Sequence, residues 1–251
     1  MLLYALALLM GATIAAPAEA DGRERRELSP VEAEAFRGVG RLNVGGSRFC
    51  SAAMISERLV VTAAHCLYHP RTLLPVPIGG IRFVAGQNGD ELAALRRVNR
   101  VAVPPDFVFD GNPSYEHLRR DIALVELDAP IPPEEAPSYF IGDLPPPDGV
   151  IEIVSYVRGR ARVASLQDGC RIDAIVGQVA ALDCGVNVGA SGAPVFAIRK
   201  TGRELWGVVS STGTLVEGGD VTLAVRVAPE RAGLEAALEP QVPSRAPPDA
   251  E

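Results

Sequence analysis

The chain has little lysine and no extended basic face. Of its 251 residues, 24 are basic and 31 are acidic, which gives a formal net charge of −7, and Lys200 is the only lysine. The basic run near the amino terminus, residues 23–26, is interrupted by Glu24 and followed by Glu27. Because nucleic-acid binding needs a sustained basic surface, this composition argues against a nucleic-acid partner.

Long apolar runs are also scarce, since only residues 1–20 form a nearly continuous one. The apolar core of this segment, residues 2–9, is too short to span a bilayer, and Ala18-Glu19-Ala20 fits the small-x-small pattern of signal-peptide cleavage. A basic region before the apolar core is missing, so a retained anchor is the alternative. We predict that residues 1–20 are a cleaved signal peptide, that the mature protein is secreted or periplasmic, and that it has no membrane span.

The four cysteines include no CxxC pair, which argues against a zinc site. Export to an oxidising compartment favours disulfides, and free buried thiols are the alternative. Four cysteines allow three connectivities, and their spacing alone does not choose between them.

No long helical pattern is visible, and short apolar or alternating runs separated by turn residues predict strands instead. A capped helical turn begins at Ser29, and a short helix is predicted near residues 228–238. Residues 129–149 hold seven prolines and are predicted to be a connector, with a polyproline ligand as the alternative. Twelve strands in two halves are equally compatible with a β-sandwich. The predicted strands are 38–44, 48–56, 59–64, 80–85, 96–103 and 122–127 in the first half, and 150–157, 171–176, 178–183, 194–198, 205–210 and 222–227 in the second.

Three short motifs carry the chemistry. They are Thr62-Ala63-Ala64-His65-Cys66, Asp121-Ile122-Ala123-Leu124 and Gly189-Ala190-Ser191-Gly192-Ala193-Pro194. Their His, Asp, Ser order differs from that of subtilisins and α/β-hydrolases, and Ala193 breaks the G-x-S-x-G pattern of esterases. With these motifs, the chain resembles the trypsin-like (chymotrypsin-fold, S1-type) serine peptidases, in particular their bacterial secreted branch.

The resemblance implies an all-β fold of two six-stranded antiparallel Greek-key barrels, with the active site in the cleft between them and a short C-terminal helix. It also implies the disulfides Cys50–Cys66 and Cys170–Cys184. The expected segments are the signal peptide 1–20, an N-terminal segment 21–36, a first barrel 37–128, the connector 129–149, a second barrel with its helix 150–238, and a disordered tail 239–251.

The same resemblance implies a secreted serine endopeptidase that works through an acyl-enzyme intermediate. Ser191 would be the nucleophile, His65 its general base, and Asp121 the group that orients the imidazole. The N–H groups of Gly189 and Ser191 would form the oxyanion hole. Asp106 and Asp110 are weaker candidates for the carboxylate because they lie in a proline-rich loop, and His69 and His117 are predicted to be solvated surface residues.

Two features set this chain apart from many secreted relatives. Ala190 stands where these carry an aspartate that pairs with the ammonium released by zymogen cleavage, and no Ile-Val-Gly-Gly start is present. Activation through that ion pair is therefore not expected here.

The resemblance also places the pocket for the residue before the scissile bond, and the pocket residues it implies carry no charge, which argues against Arg or Lys specificity. We expect small or medium uncharged side chains, no cofactor, no metal, a peptide or protein substrate, and a monomer. A catalytically silent binding module on the same fold is the alternative function. The pocket residues are Gly185, Val186, Ser210, Thr212 and Thr222.

Overall fold

The structure is a computed structural model that describes residues 25–46, 48–112, 114–214 and 220–239. The predicted signal peptide lies outside the described residues, as does all of the predicted disordered tail except Glu239. Among the described helices, none is long and apolar enough to cross a membrane.

The first half of the chain forms a closed six-stranded barrel in the spatial order β2-β3-β4-β7-β6-β5. The pairings within it are antiparallel, and β4 pairs with β7, so the chain skips two strands in the Greek-key manner. The strands are β2 (Val39–Val44), β3 (Arg48–Met54), β4 (Leu59–Thr62), β5 (Ile81–Ala85), β6 (Ala94–Ala102) and β7 (Ala123–Leu127). Each of the six predicted strands of this half is present.

The second half forms a sheet in the order β9-β10-β13-β12-β11-β8, which the additional pairing of β8 with β9 closes into a ring. A two-residue strand, β1 (Arg26–Glu27), adds to the outer side of β9 as a seventh member. The other strands are β8 (Val150–Val157), β9 (Arg160–Val176), β10 (Val179–Leu182), β11 (Pro194–Arg199), β12 (Gly202–Thr214) and β13 (Asp220–Arg226). The predicted all-β, two-barrel fold is therefore confirmed, with β1 as an unpredicted addition.

Strand β9 is the main correction to the predicted elements. It was expected at residues 171–176 but begins at Arg160. Asp168 and Gly169 are residue types that favour turns, which hides the strand in the sequence. In the structure they lie within β9, whose pairing with β8 shifts register twice. Gly169 has a φ of +70°, a left-handed conformation that glycine adopts at low cost.

Three α-helices and two short 3-10 helices complete the described elements. They are α1 (Pro30–Ala35), α2 (Tyr115–Leu118) and α3 (Ala228–Leu238), with the 3-10 helices at Ala64–Leu67 and Ile78–Gly80. Helix α1 begins as predicted at Ser29, which forms a capping box with Glu32. Helix α3 has the predicted bounds and buries Leu234 and Leu238. Helix α2 was not predicted, because four residues give too little periodicity to detect.

Buried side chains form three clusters. One fills the first barrel around Leu42, Met54 and Phe83, and a second fills the other barrel around Ile151 and Trp206. The third contains residues of both barrels and of α3, and it seals the interface that positions the two halves of the site.

Candidate active site

His65 lies in a short 3-10 helix, Ala64–Leu67, that directly follows β4. Its backbone N–H donates to Asp121 Oδ1 at 2.8 Å, and its ring Nδ1 lies 2.7 Å from Asp121 Oδ2. The side chain of Asp121 is 7% exposed and that of His65 is 22% exposed. The two-point contact fixes both the position and the orientation of the imidazole.

Burial and charge act in opposite directions on this pair. Burial by itself would lower the pKa of His65 and raise the pKa of Asp121, because it disfavours each charged form. The attraction and hydrogen bond between the two groups outweigh burial, so the pKa of His65 is raised and that of Asp121 is lowered from their usual values. Asp121 therefore stays ionised beside an imidazole that binds a proton more tightly than a free one.

Ser210 joins this pair from the second barrel. Its buried hydroxyl donates to Asp121 Oδ2, which also lowers the pKa of the carboxyl group. The sequence placed Ser210 in the wall of the substrate pocket, and it does line the cleft beside Ser191. Its contact with Asp121 was missed, because sequence spacing does not reveal a bond between residues 89 positions apart.

Ser191 is held close to the His65 segment through Ser51 in β3. The Ser51 N–H donates to the Ser191 carbonyl at 2.8 Å, and the Ser51 carbonyl accepts from Thr62 Oγ1 at 2.9 Å. Ser210 and Ser211 line both the cavity that contains His65 and the cleft that contains Ser191. The two catalytic candidates thus share one surface between the barrels.

Within the described residues, no hydrogen bond joins Ser191 Oγ to His65, and His65 Nε2 lies 3.8 Å from Cys66 Sγ. Bonds between a nucleophile and its base are often long or poorly aligned before substrate binds.

Both disulfides pair as the resemblance implied, with Cα–Cα distances of 6.2 Å for Cys50–Cys66 and 5.6 Å for Cys170–Cys184. Cys66 follows His65 and Cys50 precedes Ser51. The first disulfide therefore links the segment that carries His65 to the segment of β3 whose Ser51 contacts Ser191. Cys50, His65 and Cys66 also come within ligand distance of one another. Because both sulfurs are bonded to each other, neither is a thiolate that could hold a metal.

The loop before Ser191 presents backbone donors. Gly189 has a φ of +104° and lies against Phe49, the Tyr156 carbonyl and Val157, where a Cβ has no room. Neither the Gly189 N–H nor the Ser191 N–H has a hydrogen-bond acceptor among the described residues. Two free N–H groups in one loop are what a developing oxyanion requires.

A cleft of about 650 Å³ adjoins Ser191. Of the five predicted pocket residues, Val186, Ser210 and Thr212 line it. Gly185 instead accepts a 2.9 Å hydrogen bond from Gln167 at its carbonyl, and Thr222 is buried and donates to the Cys184 carbonyl.

Arg158 also lines this cleft, and the sequence analysis overlooked it. The signal was present, because Arg158, Arg160 and Arg162 alternate along the chain and form a second basic run.

Residues between β6 and α2 cover the other side of His65. The Phe109 ring stacks on the His65 ring with centroids 6.3 Å apart, in an apolar cavity of about 360 Å³. His117, predicted to be a solvated surface residue, is partly exposed; it lines this cavity, and its Nδ1 lies 2.9 Å from the Asn112 carbonyl. His69 is exposed, and its ring accepts from the N–H groups of Arg71 and Thr72.

The fold defines the class of protein first. A solved structure described as a Glu endopeptidase in complex with MPD superimposes with a TM-score of 0.68, covering 85% of this chain and 95% of that chain at 16% identity. This likeness shows a chymotrypsin-type fold.

The sequence comparisons add a resemblance to one family. The Trypsin family model matches residues 27–148, a range that contains His65 and Asp121 and ends before Ser191. Trypsin 5G1 of Aedes aegypti is 35% identical over 101 residues, which are 39% of this chain and 32% of that protein. A trypsin of Sarcophaga bullata is 28% identical over 142 residues, or 55% of this chain and 51% of that protein.

The chain thus spans about a third to a half of the length of these relatives. The resemblance to the trypsin-like serine peptidases is confirmed, whereas the assignment to a bacterial branch stays a prediction.

Proposed function

We propose that the protein is a secreted or periplasmic serine endopeptidase. The observation that carries the proposal is the buried Asp121 carboxylate, which orients His65 through two hydrogen bonds while Ser191 lies in the adjoining cleft. The trypsin relatives and the two disulfides support the same function and an oxidising compartment.

In the proposed reaction, His65 Nε2 removes the proton of Ser191 Oγ as the oxygen attacks the substrate carbonyl carbon. The carbonyl π electrons move onto its oxygen, which the N–H groups of Gly189 and Ser191 stabilise. When the tetrahedral intermediate collapses, the peptide C–N bond breaks and His65 returns the proton to the leaving amine. Water then repeats the sequence on the acyl-enzyme and releases the new carboxylate.

We further propose that the residue before the scissile bond is small or medium-sized and uncharged. Val186, Ser210 and Thr212 line the cleft and bring no charge to it, and Val209 stands where glutamate-specific relatives place a histidine. An Arg, Lys or Glu side chain beside these three residues would lose its hydration without gaining an ion pair from them. The charged residue of the same cleft, Arg158, is bonded through its backbone to Val188, next to Gly189.

A peptide-library digest tests the function. The disulfide-bonded protein should cleave a mixed peptide library, and the matched Ser191→Ala variant should not. Equal cleavage by both would contradict the nucleophile. Peptide binding without cleavage by the unaltered protein would favour the silent binding module.

A further inference from the structure

Ser51 is buried between the two barrels and contacts Gly189 and Ser191 in the nucleophile loop as well as Tyr156 in β8. Its hydroxyl donates to the Gly189 carbonyl at 3.0 Å and lies 3.3 Å from the Tyr156 carbonyl, and it accepts from the Tyr156 N–H at 2.9 Å. Its own N–H donates to the Ser191 carbonyl at 2.8 Å. Through its side chain and its backbone N–H together, this fully buried residue thus links β3, β8 and both ends of the proposed oxyanion hole.

These contacts hold the peptide units next to those that carry the Gly189 and Ser191 N–H groups, because the Gly189 and Ser191 carbonyls belong to the adjoining units 189–190 and 191–192. Fixing the Gly189 and Ser191 carbonyls limits rotation of the loop between them, where Gly189 already has a positive φ. Further bonds brace the same loop, from the Arg158 N–H to the Val188 carbonyl at 2.7 Å and from the Ala190 N–H to the Asn187 carbonyl at 3.0 Å. Of the side chains described, Ser51 is the one that reaches Gly189 with a hydrogen bond.

Ala190 explains why such a support is needed. It is buried and has no carboxylate with which to bind a released N-terminal ammonium. We propose that Ser51 is a positioning residue that orders the oxyanion loop from the first barrel, in place of an N-terminal ion pair. This inference rests on the proposed peptidase function.

The test compares Ser51→Ala with Ser165→Ala. Ser165 is an equally buried serine whose hydroxyl has no hydrogen-bond partner among the described residues, so its removal controls for loss of a buried hydroxyl. Ser51→Ala should lower kcat and the rate of fluorophosphonate inactivation about 10- to 100-fold, because misplacing an oxyanion donor costs up to the effect of deleting it. KM and the midpoint of the pH profile should change little, since the cleft walls and the His65–Asp121 pair are untouched.

Several outcomes would overturn the proposal. One is a Ser51→Ala variant whose kcat and inactivation rate match those of Ser165→Ala. Another is wild-type protein that gains activity only after trimming to a defined N-terminus. Ser51→Gly, which also removes the hydroxyl, provides a second variant with the same expected loss if Ser51→Ala does not fold. Wild-type protein that neither cleaves peptides nor reacts with the probe would instead refute the peptidase function itself.

A second inference concerns the substrate and rests on the charge of the cleft. Arg158 is exposed beside Ser191, and no described carboxylate lies within ion-pair distance of it. The next two arginines of its run are paired, Arg160 with Glu27 at 3.8 Å and Arg162 with Asp90. The described residues that line the cleft include no acid, so Arg158 gives it a net positive charge.

The backbone of Arg158 is fixed at the Gly189 end of the loop. Its N–H binds the Val188 carbonyl, and the preceding Val157 Cα lies 3.0 Å from the place of a Cβ on Gly189. Val186, which lines the pocket for the residue before the scissile bond, lies at the other end of this loop segment. We infer that Arg158 binds a carboxylate side chain on the leaving-group side, within two residues of the scissile bond.

Positional profiling of a peptide library tests this inference, which also rests on the proposed function. Wild-type protein should prefer Asp or Glu at one of the first two leaving-group positions by roughly threefold to tenfold at low salt, and less at high salt. Arg158→Gln should remove this preference and Arg158→Glu should reverse it toward Lys or Arg. The matched control Arg160→Gln should retain it.

Cleavage of the library without an acidic preference on the leaving-group side would overturn the assignment of Arg158 and leave the peptidase function intact. An acidic preference confined to positions before the bond would also overturn it. A total lack of cleavage would instead count against the peptidase function.

Discussion

Gly192 is the position where a single added methyl group should be most damaging to the site. Its φ is +76°, and a Cβ built on it would collide with Thr62 Oγ1 and the Ser51 carbonyl and come within 3.0 Å of the Ala63 nitrogen. Its N–H also donates to the Val209 carbonyl at 2.7 Å, so the residue cannot move away from β12 without losing that bond. The close approach of the nucleophile loop to the first barrel therefore depends on glycine.

We expect Gly192→Ala to destabilise the protein by about 2–5 kcal/mol, the sum of about 1–2 for the left-handed backbone and about 1–3 for overpacking. Gly159→Ala is the matched control, because Gly159 has a φ of +89° but no atom within 4 Å of its missing Cβ. Gly159→Ala should cost only the free energy of the left-handed backbone, about 1–2 kcal/mol.

Denaturant unfolding of the two variants measures the difference, and peptide hydrolysis should fall in Gly192→Ala alone because Ser191 is displaced. Equal unfolding free energies with normal activity in both variants would refute the packing argument.

Three further predictions concern the catalytic residues, the pH dependence and the activation of the protein. Ser191→Ala and His65→Ala should each remove most of the turnover, and the double variant should lose little more, because the residues act as a unit; additive losses in single-turnover assays would contradict this. The acid limb of the kcat/KM profile should have its midpoint above about 6.5, since the raised pKa of His65 keeps the base protonated to higher pH. The residual activity of Asp121→Asn should show that limb at lower pH, because the carboxylate that raises the pKa is gone; an unchanged midpoint would count against it. Protein extended by a few residues before its mature N-terminus should retain its activity, since Ala190 has no carboxylate to pair with an ammonium; strong activation on trimming would show a processing switch.

Local patterns were sufficient to predict most of the strands and the C-terminal helix, whereas the two-barrel arrangement followed from the family resemblance. The first-barrel strands have apolar runs bounded by turns, and the helix at residues 228–238 has the bounds that were predicted. The first 11 residues of β9 were missed because its polar residues and Gly169 carry the signature of a turn, while pairing with β8 keeps them extended. Strand β1 was missed because two residues form a strand only through a partner more than 130 positions away.

The candidate site also has a part that the sequence predicted and a part that it did not. His65, Asp121 and Ser191 lie in short motifs that a single sequence displays, and the disulfide pairing followed from the resemblance. The contacts that support these residues could not be predicted from the sequence, since Ser210 reaches Asp121 and Ser51 reaches Gly189 only after the two barrels pack together. Such contacts depend on tertiary geometry, which residue spacing does not encode.

The central claim is that His65 activates Ser191 as a nucleophile. Treatment with a serine-directed fluorophosphonate followed by peptide mass spectrometry tests it most directly. We predict one adduct per chain, on Ser191, with the rate of labelling greatly reduced in His65→Ala. Labelling at another residue, or an equal rate in His65→Ala, would contradict the account.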